Sequence, residues 1–157
     1  MTTWNDTVGE NSELWGDTLQ DLYDEISGWG QDEAGSCSWH PSLDLAWDDN
    51  EIVTGGTLTV DMEVLTPAWA KRSDANDAVR AEWDRWSAAL MTHEMGHYDL
   101  AKQHLDNFEN TLVGKSKDDA WAAFEKVKQD LQQASDSYDS STQHGITQGT
   151  TLDTSIT

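Results

Sequence analysis

Cysteine is almost missing from this chain, and so is positive charge. The single thiol, Cys37, excludes both an intramolecular disulfide and a Cys-rich zinc site; as a lone free cysteine it reads as a small buried apolar residue. Only 9 Lys and Arg stand against 30 Asp and Glu, a net charge of −21. Such a surface repels phosphate backbones and anionic lipid, which argues against nucleic-acid and membrane roles. No apolar run approaches the roughly 20 residues needed to span a bilayer. The opening stretch, MTTWNDTVGEN, lacks the basic and apolar regions of a signal peptide. A cytoplasmic protein is expected, or a secreted one whose leader has been trimmed. Asp outnumbers Glu two to one and Lys is sparse, a balance that suits solubility in strong salt but equally fits an ordinary acidic protein.

With 157 residues the chain can bury a real core, and nine tryptophans supply much of it. Residues 12–27 carry Leu14, Trp15, Leu19, Leu22, Tyr23 and Ile26 at helical spacing, with Asn11 or Ser12 as cap and Gly28 just past the end. Leu43, Leu45 and Trp47 alternate as in a half-buried strand. Leu58, Val60, Met62 and Val64 alternate again, and Pro67 is expected to end that strand. The longest helical pattern follows, through Val79, Trp83, Trp86, Leu90, His93, His97, Leu100, His104 and Phe108, with Gly114 as its stop. Ser116 can cap a second helix bearing Trp121, Phe124, Leu131, Ala134 and Tyr138. The order predicts an α+β domain over residues 1–150, a small antiparallel sheet packed on two long helices. The tail, 151–157, is polar and expected to be loose.

Three of the five histidines fall within ALMTHEMGHYDLAKQH, residues 89–104. His93, Glu94 and His97 form His-Glu-x-x-His on a helix, with both imidazoles one turn (about 5.4 Å) apart on one face. Both could reach one zinc ion, and Glu94 could take a proton from its water. The same two histidines lie on the apolar stripe, where they could instead be satisfied core residues.

A catalytic zinc site needs a third protein ligand. His104 shares the face but lies about 10 Å further along the helix axis than His97. A helical hairpin around Gly114 regains the metal's level near residue 135, which leaves Glu125 short and brings Tyr138, Asp139 and the SSTQHGIT loop to the right height. His144 is the leading third ligand and Asp139 the runner-up; His144 beside Gly145 also fits an ordinary turn.

TPAW (66–69), WDRWSAALMTHEMGHYDLA (83–101) and YDSSTQHG (138–145), with GSCSW ahead of the strands, resemble a bacterial family of predicted secreted zinc-dependent proteases. The resemblance implies a zincin-like metallopeptidase fold, with His93 and His97 as ligands and Glu94 as catalytic base. It also marks Tyr138, Asp139, Thr142 and His144 as functional candidates.

These readings together predict a zinc-dependent peptidase. Zn2+ is held by His93, His97 and His144, Glu94 acts as general base, and Tyr138 serves as an oxyanion donor or a core residue. Asp139 orients a ligand histidine or replaces His144 as ligand. The substrate is a peptide or protein, which strand 57–64 could receive by strand addition. A deformylase would need a Cys ligand in a Glu-Gly-Cys motif, and GSCSW lacks it. The rival from another class is a non-catalytic module in which zinc only staples the helices.

The charge balance yields a direct test. Raising potassium chloride from low to molar concentration shortens the Debye length to about 3 Å and screens the self-repulsion of the compact state. The melting temperature should climb across that range; a flat melting curve series would show that the acidity is evenly solvated.

Overall fold

The computed structural model describes residues 1–30 and 33–157. It is an α+β arrangement of three strands and three α-helices: β1 (Thr3–Leu14), α1 (Leu19–Ser27), β2 (Ser36–Trp47), β3 (Val53–Trp69), α2 (Asp77–Leu105) and α3 (Lys117–Thr142). The strands are ordered β1-β3-β2. β2 and β3 form the expected antiparallel pair, but β1 pairs with β3 in parallel, so the sheet is mixed rather than antiparallel. Among the described residues no helix is long and apolar enough to cross a membrane.

The strand β1 carries no alternating pattern because almost all of it is exposed; backbone pairing to β3 holds it. It occupies residues 12–14, where a helix was expected. The helix starts only at Leu19, behind Thr18, whose hydroxyl accepts from the Asp21 backbone while the Asp21 side chain returns the bond. β3 also runs past Pro67. There β2 has already ended, its last pair being Ser36 with Leu65. On the other side β1 bulges between Glu10 and Glu13, so Pro67 has no ladder bond to break.

Leu58, Val60, Met62 and Val64 are all buried, as their alternation requires. Leu58, Val60 and Met62 meet Ala101, Leu105, Phe124 and Leu131 in one apolar core. A second core gathers Leu14, Leu19 and Leu22 with Trp69, Trp83, Trp86 and Leu90. α2 contributes its first half to the tryptophan core and its last turns to the sheet core. The His-Glu-x-x-His turn lies at the joint between them.

α2 ends at Leu105, well before Gly114. Asn107 adopts a left-handed conformation (φ 58°), and a 3-10 turn over Phe108–Leu112 carries the chain to Gly114 (φ 85°). Ser116 then caps α3, accepting from the Asp119 backbone.

The segment after Thr142, read from sequence as ending in a loose tail, is tied along α2. Arg85 donates to the carbonyls of Gly149 and Thr151, and Trp86 Nε1 donates to that of Thr150. Buried Glu82 receives Arg85 through two bonds of 2.7 and 2.6 Å and the Asp153 backbone N–H at 2.8 Å. The Arg85 guanidinium holds the Glu82 carboxyl below the usual range. A depressed carboxylate pKa stabilises the fold above the unfolded value, about 4.3 for Glu, and that share is lost as pH falls through the lower folded value. Arg85→Ala leaves a buried acceptor short of partners and should cost about 1–3 kcal/mol at pH 7. Chemical denaturation of parent and variant should show that gap narrowing below about pH 4; a gap that is constant down to pH 2 would remove Arg85 as its source.

Candidate metal centre

The Nδ1 atoms of both motif histidines are occupied, which turns both Nε2 atoms the same way. Gln148 Oε1 lies 2.8 Å from His93 Nδ1; an amide oxygen can only accept, so Nδ1 carries a proton and Nε2 is the nitrogen turned toward the other donors. Ser135 Oγ lies 2.8 Å from His97 Nδ1. Burial chiefly lowers the pKa of His97, which favours its neutral form. An imidazole bonded at Nδ1, with Nε2 turned toward the other donors, has the orientation a metal ligand requires.

Two carboxylates face these nitrogens. Asp139 Oδ1 is 2.8 Å from His97 Nε2 and 3.4 Å from His93 Nε2. Glu33 Oε1 is 3.4 Å from His93 Nε2. One ligand atom from each of Glu33, His93, His97 and Asp139 lies within 4.8 Å of the other three, so the group could bind a metal ion. The 3.4 Å separations match two donors held tetrahedrally at about 2.0–2.1 Å from zinc, which sit about 3.3 Å apart. His93 Nε2, Glu94 Oε1 and Asp139 Oδ1 are buried without a hydrogen-bond partner among the described residues. Bare buried atoms of this kind are costly unless something else satisfies them.

Glu94 sits beside the group, 1% exposed. Burial first, then the charges of Glu33 and Asp139, push its pKa up to about 8. Gly35 makes the approach possible, since a Cβ there would overlap the Glu94 carboxylate. The cleft in front has a volume of about 380 Å³ and is walled by Glu94, His97 and Asp139 on one side and by Ser36, Cys37 and Trp39 of β2 on the other. Cys37 is half-buried, and burial together with Glu94 pushes its thiol up to about 12. It stays protonated and is no nucleophile.

The other sequence candidates surround this centre. Tyr138 stacks on His93 (centroids 5.1 Å, 12°) and meets His97 edge-on (4.9 Å). Its hydroxyl accepts from Gln148 Nε2 at 2.9 Å. Thr142 donates to the Tyr138 carbonyl and accepts from the Gly145 backbone. His144 lies outside the four-residue group: its Nδ1 is 2.7 Å from Glu33 Oε1 and its side chain is half exposed. His104 is turned onto its own helix, Nδ1 to the Leu100 carbonyl. The residues 143–145 run left-handed (φ 52°, 53° and 80°), which swings Gln148 back to His93; a Cβ on Gly145 would also lie 3.0 Å from the His93 ring.

Sequence reasoning passed over Glu33, Ser135 and Gln148. Ser135 was accessible to it, since Ser135, Tyr138, Asp139 and Thr142 share one helical face at i, i+3, i+4 and i+7. Glu33 had no signal to separate it from 29 other acidic residues. Gly96 offers a test of the packing: a Cβ there would overlap the Tyr138 hydroxyl. Gly96→Ala should displace Tyr138 and with it Gln148 and His93, weakening metal binding about 10–100-fold while the fold persists. Unchanged affinity by chelator competition would show that Tyr138 does not support the centre.

No curated protein and no solved structure matches the chain. Residues 10–145 match the model of a family described as bacterial protein of unknown function, DUF922. That span runs from β1 through the His93 motif to Gly145 and takes in every residue of the group that could hold a metal, and on it the chain belongs to the DUF922 family.

Proposed function

We propose that the protein is a zinc-dependent hydrolase, a metallopeptidase of zincin-like design that cleaves peptide bonds. The observation that carries this reading is the convergence of His93 Nε2, His97 Nε2 and Asp139 Oδ1 beside a bare, buried Glu94 Oε1 at the wall of an open cleft. Two imidazole nitrogens and a carboxylate suit zinc among the common ions. Asp139 is the third ligand in this reading, and His144 stays outside the shell.

When bound, zinc would supply a water acidified to about pKa 7 and a Lewis acid for the scissile carbonyl. Glu94 takes the proton from the attacking water and returns it to the leaving amine. Burial first, and then the charges of Glu33 and Asp139, raise its pKa; a dication held by Glu33 and Asp139 would offset the part due to charge and favour Glu94 as a base. Gln148 and Ser135 hold the two imidazoles in register. Tyr138 positions His93 through its ring and Gln148 through its hydroxyl.

The substrate is an extended peptide laid on β2. Strand addition was expected at residues 57–64, but those belong to β3, whose two edges are already taken by β1 and β2. Among the described residues the outer edge of β2 is unpaired, and its residues Ser36–Trp39 line the cleft with His97 and Asp139.

A second reading has one observation in its favour. Four protein ligands could saturate a zinc ion, as in structural sites, and zinc would then only staple α2 to α3. The two readings part at Glu94, which a staple does not need. Glu94→Gln should keep one zinc per chain and lower hydrolysis of a diverse peptide library about 10²–10⁴-fold. His93→Ala, His97→Ala and Asp139→Ala should each empty the site, and chelator should abolish turnover in the parent. Full turnover by Glu94→Gln, or no metal in the parent after zinc reconstitution, would sink the hydrolase.

A further inference from the structure

The proposed ligands leave Glu33 over. Its Oε1 stands 3.4 Å from His93 Nε2, the same separation as Asp139 Oδ1 on the other side. That is the spacing of two donors on one tetrahedral ion. A shell closed by four protein groups has no place for a water or a substrate oxygen, yet Glu94, whose Oε1 is buried and bare, lines the same cleft as Glu33, His97 and Asp139. Base and saturated shell are compatible only if one of the four groups leaves.

Three of the four are anchored. His93 and His97 ride on α2 and are each bonded at Nδ1; Asp139 rides on α3. Glu33 comes from the connection between α1 and β2. Its Oε1 already has a second contact, His144 Nδ1 at 2.7 Å, and His144 is no member of the four-residue group. Another cavity of about 380 Å³ is lined by Tyr23, Ile26, Trp86, Leu90 and His144, and Glu33 is a wall of both this cavity and the metal cleft.

We propose that Glu33 is an exchangeable fourth ligand: it closes the metal shell in the resting protein and withdraws onto His144 to open the position that water or a substrate carbonyl takes. The inference rests on the metal site read above. It makes His144 the group that receives the displaced carboxylate, and it makes the resting protein a latched form that an incoming oxygen ligand must open.

Cobalt(II) replaces zinc in the test because its visible absorption reports coordination number. The parent should show the intense bands of a four-coordinate ion. Glu33→Ala, and Glu33→Gln as a variant of unchanged size, should give the weaker bands of a shell that has admitted solvent. Cobalt affinity by chelator competition should fall about tenfold. Acetohydroxamate should bind the cobalt forms of these variants about tenfold more tightly than the parent, as expected where a closed state populated about ten to one holds back a competing ligand. His144→Ala should retain cobalt. Parent-like spectra and affinities in both Glu33 variants would overturn the exchangeable ligand, while loss of cobalt in Asp139→Ala would leave the hydrolase reading standing. Loss of cobalt in His144→Ala but not in Glu33→Ala would also overturn it, by placing His144 in the shell. A parent that binds no cobalt at all would remove the metal site itself, and the latch with it.

Discussion

Two imidazoles and two carboxylates converge on one point with a third, buried carboxylate beside them, and the rest of the molecule is arranged around keeping them there. Like charges at such spacing repel strongly in a medium of low dielectric, and each bare polar atom forfeits its hydration. The arrangement is tolerable when a cation sits among the oxygens or when protons do; burial first, and then the charges of Glu33 and Asp139, raise the pKa of Glu94. Folding therefore delivers these groups already crowded, and the binding energy of an ion would be spent partly on relieving that crowding.

The crowding is sustained by two separate apolar cores. The tryptophan core anchors the first half of α2 and the strap over residues 149–153, while the sheet core anchors its last turns and α3. Because the histidines lie at the joint, neither core needs to accept a polar group into its middle. The joint is also where an open cleft can form, since the two cores diverge there. Close approach is bought with glycine: Gly35 for Glu94, Gly96 for Tyr138 and Gly145 for His93.

Orientation comes from a second layer that is mostly neutral. Gln148, Ser135 and the Tyr138 ring hold the imidazoles without adding charge, in a protein that is otherwise strongly acidic. Another carboxylate behind His93 would raise its basicity but worsen the repulsion around Glu33, Asp139 and Glu94. An amide oxygen fixes the same tautomer at lower electrostatic cost.

Much of this was readable from the chain. The alternation of Leu58, Val60, Met62 and Val64 and the helical period of α2 and α3 are local consequences of burying one face, so they leave a pattern in sequence. His93, Glu94 and His97 share one turn of a helix, and their juxtaposition follows from helix geometry alone. The strand β1 left no pattern, because it is held by backbone pairing and buries little, and its absence hid the mixed character of the sheet. The choice between Asp139 and His144 was likewise out of reach. Both arrive at the metal's level, and only the left-handed run over 143–145 turns His144 outward to Glu33 while Asp139, still on α3, faces His97. Glu33 came in from another part of the chain altogether. Contacts within one turn are set by sequence spacing; contacts between a loop, a strap and two helices exist only once the cores have packed, and there the tertiary structure alone decided.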